Sequence, residues 1–107
     1  MTNEKTNLAA EKELKKLRNE INRQDKILLQ TLKKRFQVVK KVALLKKKHD
    51  MPVLQKSRWK TIIEDRVKLG VSYKIAPAFT IALIKLIHKE SVRFQKELQH
   101  KKGKKNE

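Results

Sequence analysis

The sequence predicts an all-α protein of three helices, long, short and medium in chain order. Three observations predict it. Leu, Ile, Val, Lys, Glu and Gln dominate the 107 residues, a helix-forming composition. Only two Gly and two Pro occur, so punctuation is sparse and the elements between breaks are long. Apolar residues recur every three or four positions, the period of a helix with one apolar face.

Leu14, Leu17, Ile21, Leu28, Leu32, Phe36, Val39 and Ala43 carry that period in the first helix, and neither Pro nor Gly interrupts Asn7 to Asp50. A helix of about forty residues is near 60 Å long at ~1.5 Å per residue. A compact monomer of this size does not hold such a length, so the helix is expected to be shared with a partner chain. His49-Asp50-Met51-Pro52 ends it, because Pro52 pushes Met51 out of the helical region. The second helix is expected from Lys56 to Leu69, with Trp59, Ile62, Ile63 and Val67 on its apolar side and Gly70 as its C-terminal cap. Val71 to Ala76 link it to Pro77, which suits the first position of a third helix. Phe79, Leu83, Leu86, Ile87, Phe94 and Leu98 mark that helix through to His100. The chain therefore divides into a polar extension (1–13), a helical domain (14–100) and a basic tail (101–107) expected to fray.

The formal net charge of +18 admits two readings. One is a surface for nucleic acid or an anionic membrane. The other is lysine on the solvent-facing positions of every helix. Lys outnumbers Arg and clusters at Lys33-Lys34, Lys46-Lys47-Lys48 and in the tail, whereas base readers favour the bidentate arginine fork and aromatic platforms. The balance favours solvated lysine, with part of the field steering an anionic substrate. The chain has no Cys, which removes disulfides and thiolate metal sites and fits a reducing cytoplasm. Met1 to Glu13 carries no apolar signal core, and no run of ~18 apolar residues exists to span a membrane.

Six residues stand out as a set that would wrap a small dianion: Arg18, Arg35, Lys46, Arg58, Ser91 and Gln95. Arg35 and Lys46 are eleven residues apart, about three turns at ~3.6 residues per turn, and so share a face. Arg35 lies beside the apolar stripe, between Leu32 and Phe36, where a guanidinium buried without an anion would cost on the order of several kcal/mol. Lys46 is set apart from Lys47 and Lys48 by that spacing alone. Asp25 interrupts the stripe, either as a solvent-facing or capping carboxylate or as an anion that orients a neighbouring Arg, with Arg18 two turns upstream on nearly the same face. Ser91 and Gln95 share a face with Ile84, Ile87 and Leu98, and polar groups there need partners. For Ser91 a hydrogen bond inside the bundle stands beside a ligand contact. His88 reads as a rim residue and Trp59 as core; His49, His88 and His100 are too scattered for a metal site. Fixed positive charge without a nucleophile suits a reaction that needs positioning and electrostatics alone.

Leu17-Arg18-x-x-Ile21-x-x-x-Asp25, then Arg35, Lys46, Pro52-Val53-Leu54-Gln55-x-x-Arg58 and Ser91-x-x-x-Gln95 succeed one another in an order and spacing that resemble the all-helical chorismate mutases. The resemblance covers Leu14 to Leu98. Leu54-Gln55-Lys56-Ser57-Arg58-Trp59 and Ile87-His88-Lys89-Glu90-Ser91 are most similar to mutase domains that bacteria often fuse to the first enzyme of aromatic biosynthesis. Here the domain is expected to stand alone, with an enzyme of that pathway as a candidate partner.

The resemblance implies an intertwined homodimer with two shared sites and no cofactor or metal. Each site would take Arg35, Lys46, Gln55, Arg58, Ser91 and Gln95 from one chain and Arg18 from the other. Arg18 and Lys46 would clamp the side-chain carboxylate of chorismate, and Arg35 with Ser91 the ring carboxylate. Lys46 and Gln95 would donate to the ether oxygen, and Arg58 would order the far side of the pocket. One departure concerns Trp59: the family commonly places there a Glu that accepts from the ring hydroxyl. Gln55, where Asp is frequent, keeps a carbonyl acceptor for that role. Isochorismate pyruvate-lyases share the fold and also lack the Glu, so they stand as an alternative, as does a basic helical module binding nucleic acid.

Overall fold

The structure, a computed structural model, describes the backbone of residues 2–105 and the side chains of residues 7–100. Three helices succeed one another: α1 (Thr2–Lys48), α2 (Lys56–Ser72) and α3 (Pro77–Lys105), with no strand among the described residues. The order long, short, medium is the one the breaks in the sequence predict. Helix α3 runs past His100 to Lys105, and the side chains of the basic tail lie outside the described residues.

The end of α1 is built where Pro52 requires it. Asp50 adopts a φ of 54°, in the left-handed region that Asp tolerates better than most residues. The N–H of Met51 then reaches the carbonyl of Lys46 at 2.7 Å, and that of Asp50 the carbonyl of Lys47 at 3.4 Å. This pairing satisfies two carbonyls that a helix end would otherwise leave open. The end of α2 repeats the device, beyond the Gly70 expected to make it. Lys74, at a φ of 62°, takes the left-handed position, Ile75 N–H bonds Gly70 O at 2.8 Å, and Lys74 N–H bonds Val71 O at 3.0 Å.

Gly70 is therefore not the cap that the sequence suggests. It lies inside α2, buried, without a positive φ. Its function is close approach: a Cβ built there would sit 2.5 Å from Thr80 Oγ1, so α3 comes against α2 where a side chain would stand. Thr80 is itself only 7% exposed. Pro77 opens α3 as expected, and the N–H of Thr80 bonds Ala76 O at 3.1 Å.

The chain divides into two units, Met1–Arg35 and Phe36–Glu107. In the first, every described side chain is exposed except Leu32 and Arg35, which are half-buried. Its apolar residues Leu14, Leu17, Ile21 and Leu28 are therefore uncovered in the single chain. In the second unit Ala43 is buried at 2% exposure, and the rings of Phe36 and Phe94 meet at 5.4 Å between centroids. Ile62, Ile63 and Val67 of α2 and Ile84, Ile87 and Leu98 of α3 are half-buried, the faces that the periodicity predicts. Phe79, Leu83 and Leu86 are exposed, so α3 carries a second apolar face that the chain itself does not cover. No helix among the described residues is long and apolar enough to cross a membrane.

Gly70→Ala tests the close approach. Overpacking costs roughly 1–3 kcal/mol, set against about 1 kcal/mol gained from alanine's better helix propensity. A net loss of up to about 2 kcal/mol is expected in urea denaturation. In a Thr80→Ala background, where the nearest atom is gone, the same substitution should be neutral or stabilising; equal losses in both backgrounds would show that Thr80 is not the obstacle.

Candidate functional site

The second unit gathers three of the residues singled out in the sequence. Lys46 lies in the last turn of α1, and Ser91 and Gln95 lie one turn apart on α3. The ammonium of Lys46 donates to Gln95 Oε1 at 3.1 Å, across 49 positions of chain, and to the carbonyl of Val53 at 2.7 Å. Gln95 and Ser91 are buried, at 7% and 6% exposure. Ser91 Oγ donates to Ile87 O at 3.0 Å, one turn back on α3 itself.

This contact between Lys46 and Gln95 fixes which way the amide faces. An ammonium can only donate, so the amide must turn its oxygen to Lys46 and its NH2 group to the other side. There, among the described residues, Nε2 reaches the carbonyl of Ser91 at a long 3.4 Å. Such a weakly held donor is easily given up to a better acceptor.

The acceptors set the electrostatics. Both oxygens on Lys46 are neutral, so its charge is not cancelled by them. Burial lowers the Lys46 pKa from its ordinary value of 10.5. Arg93, on an outward face of α3, shows the opposite arrangement. It bonds Glu90 through Nε, pairs with Glu97 at 3.2 Å and lies 4.8 Å from the Phe94 ring centroid. The Glu90 hydrogen bond, ahead of the other contributions, raises the Arg93 pKa. Arg93 is paired with carboxylates, whereas the oxygens that Lys46 meets are both uncharged.

Sequence spacing alone separated Lys46 from its neighbours, and the structure separates them by partner. Lys47 donates to the carbonyl of Leu98 at 2.6 Å, and Lys48 is exposed. A cleft beside Lys46 is lined by Lys47, Asp50, Met51, Pro52, Val53 and Gln99 as well. Arg58 stands in the first turn of α2 and Gln55 just before it, both exposed. Arg18 and Arg35 belong to the first unit, Arg18 exposed and Arg35 half-buried. Asp25, in the same unit, is exposed.

Two features carried no sequence signal. The Val53 carbonyl is backbone, and no side chain announces it. Trp59 and His88 stack, with ring centroids 4.0 Å apart and an interplanar angle of 24°. Both are half-buried, so Trp59 is a wall between α2 and α3 rather than deep core, and His88 is more enclosed than a rim residue. Aromatic stacking of this kind depends on two helices meeting, which periodicity along one helix does not report.

A lysine with a lowered folded pKa binds fewer protons folded than unfolded between its two pKa values, so stability rises with pH across that interval. The parent should accordingly gain melting temperature relative to Lys46→Met as pH climbs through the lowered Lys46 value towards 10.5. Below that interval the difference should be flat. Parallel curves over the whole alkaline range would show that the Lys46 ammonium is not desolvated.

Known proteins are similar to this chain in sequence. The profile of the family described as chorismate mutase type II matches residues 17–96. The chain is 33% identical over 94 residues to the bifunctional chorismate mutase/prephenate dehydratase of Buchnera aphidicola subsp. Schizaphis graminum (strain Sg). That alignment covers 88% of this chain and 24% of the relative, so the chain spans about a quarter of the length of the protein it matches.

Proposed function

The chain belongs to the type II chorismate mutase family, and from that premise we propose that it catalyses the rearrangement of chorismate to prephenate. The observation that carries this reading is the Lys46–Gln95 pair. An ammonium bonded to neutral oxygens lies against a buried amide whose NH2 group is weakly engaged. The ammonium and, once it gives up the Ser91 carbonyl, the amide NH2 group are two donors that suit an oxygen on which negative charge develops.

The reaction asks for little else. One carbon–oxygen bond breaks and one carbon–carbon bond forms within the same molecule, and nothing enters or leaves. Bond breaking runs ahead, so negative charge collects on the ether oxygen. Donation from Lys46 and Gln95 lowers the barrier because it is stronger in the transition state than in the ground state. Arg35, Arg58 and Ser91 hold the substrate's compact conformer, with Arg18 from a second chain closing the site. No acid, base or covalent intermediate is called on.

A homodimer of intertwined helices with two shared sites completes the proposal, for the domain spanning 14–100. It is supported by the uncovered apolar stripe Leu14, Leu17, Ile21 and Leu28 on α1 and by the exposed Phe79, Leu83 and Leu86 on α3. Apolar rows of that extent on a small chain mark an interaction surface. The relative's name joins mutase to dehydratase in one protein, and an enzyme of aromatic biosynthesis is proposed as a functional neighbour of this chain in the cytoplasm. The Trp59–His88 stack favours one further reading, an isochorismate pyruvate-lyase, because it puts two rings where a carboxylate is common in the family.

Incubation of purified protein with chorismate and, separately, with isochorismate, followed by product analysis, tests the assignment. Prephenate from chorismate is the expected product; pyruvate from isochorismate with chorismate untouched would replace it with the lyase. Gln95→Ala should lower kcat by about 10²–10³-fold, on the order of 2.7–4 kcal/mol, with less change in KM. Gln95→Glu should work only at low pH, where its carboxyl can donate. A defect confined to KM would mean uniform binding rather than transition-state stabilisation.

The shared site has its own test. Neither Arg18→Ala nor Arg35→Ala chains should be active alone, and mixing them should restore activity in heterodimers with one intact site. Absence of complementation after verified subunit exchange would remove Arg18 from the partner's site.

A further inference from the structure

Lys46 is tied twice to the turn that succeeds it. Its backbone carbonyl accepts the N–H of Met51 at 2.7 Å, and its side-chain ammonium donates to the carbonyl of Val53, also at 2.7 Å. The chain leaves α1, reverses, and returns to the same residue twice, once to its backbone and once to its side chain. Asp50 makes the reversal by holding a φ of 54°, and Pro52 stiffens the return with its ring-locked φ.

From this geometry we propose that the turn His49–Val53 is the positioning device for Lys46: left-handed Asp50 reverses the chain, and the Val53 carbonyl holds the ammonium against Gln95. The inference deepens the proposed function and rests on its assignment of Lys46 and Gln95. Asp50 and Val53 are positioning groups; neither is assigned a contact with substrate.

The physical case begins with the freedom of a lysine. Its side chain has four torsions, and its ammonium carries three protons in tetrahedral array. One acceptor leaves that group free to spin about it. Two acceptors, Val53 O and Gln95 Oε1, fix the rotation, and the third N–H then points in a single direction. Lys48, two residues further on, is exposed.

The neutrality of the acceptor matters as much as its place. A carboxylate at the position of the Val53 carbonyl would hold the ammonium more firmly and cancel its charge. A carbonyl holds it and leaves the charge for an anion. The charged groups that line the same cleft are Lys47 and Asp50. Lys47 is bonded to the Leu98 carbonyl, and Asp50 is exposed. Burial is accordingly what lowers the Lys46 pKa. A loosened turn would hydrate the ammonium and return that pKa upward.

Three variants of the full chain separate backbone conformation from charge: Asp50→Gly, Asp50→Asn and Asp50→Val. All remove the carboxylate. Gly and Asn adopt positive φ readily, whereas a β-branched Val is strained there. Asp50→Val alone should lose kcat, on the order of 10- to 100-fold, with a smaller change in KM. Asp50→Gly and Asp50→Asn should stay within about twofold of the parent, since the conformation they keep is the one that orients the donor.

A second readout needs no substrate: the titration of Lys46 followed by NMR at its side-chain 13Cε. The midpoint should move up towards 10.5 in Asp50→Val and stay in place in the other two. A general loss of folded protein would lower signal and activity together without moving that midpoint. If Asp50→Val does not fold, replacing the Val53–Leu54 amide by an ester weakens the Val53 carbonyl as an acceptor and leaves every side chain intact. The same upward shift is expected. A folded Asp50→Val or ester variant with unchanged kcat and an unmoved Lys46 midpoint overturns the proposal. A parent that does not rearrange chorismate, yet shows the midpoint shift, overturns the assigned reaction and keeps the positioning.

Discussion

The reversal of the chain between Lys48 and Lys56 is the constraint on which the rest of the second unit depends. Helix α1 cannot continue through Pro52, which has no N–H to give and disfavours a helical residue before it. The chain turns by placing Asp50 in the left-handed region and bonding Met51 and Asp50 back to the last carbonyls of α1. That turn sets the course of the two later helices. Helix α2 begins at Lys56, and α3 brings Gln95 to Lys46 across 49 positions of chain. A second left-handed residue, Lys74, makes the other reversal, and Gly70 lets the two helices it joins approach closely.

Charge is distributed with a consistent logic in this unit. The exposed cation Arg93 finds carboxylates on its own helix one turn away, the arrangement that stabilises a helix surface by about a few tenths of a kcal/mol per pair. The partly buried cation Lys46 finds carbonyl oxygens. Burial lowers its pKa, and neutral acceptors satisfy its protons while leaving a positive field at a buried amide. In the proposed reaction, donors held in place before the substrate arrives would need no reorganisation at the moment of bond breaking.

The apolar content of the chain is larger than the chain buries. Ala43 is the buried apolar side chain of the described residues, while Leu17, Ile21, Leu28, Phe79 and Leu86 stand exposed. Small chains have too much surface for their volume, and association is the usual remedy. In the proposed dimer, a partner helix would cover the stripe on α1 and bring Arg18 to the shared site. Stability and catalysis would then depend on the same contact.

The number, order and kind of the helices were legible from the sequence alone, because apolar period and Pro placement are local properties. Pro52 and Pro77 marked their boundaries correctly, and the faces carrying Ile84, Ile87, Ser91, Gln95 and Leu98 follow from a period of about 3.6. The three-turn spacing from Arg35 singled out Lys46 in a run of three lysines, and Lys46 is the one of the three bonded to Gln95. The tertiary structure decided what spacing could not. Gly70 looked like a helix end because glycine usually supplies positive φ there, but its missing Cβ is needed for the approach of Thr80. Trp59 and His88 meet because two helices pack, and the Val53 carbonyl reaches Lys46 because the backbone folds back on itself. Side-chain chemistry and period are written residue by residue in the sequence. Which atoms end up within hydrogen-bonding reach of one another depends on turns and close approaches between segments, and those exist only once the chain has packed.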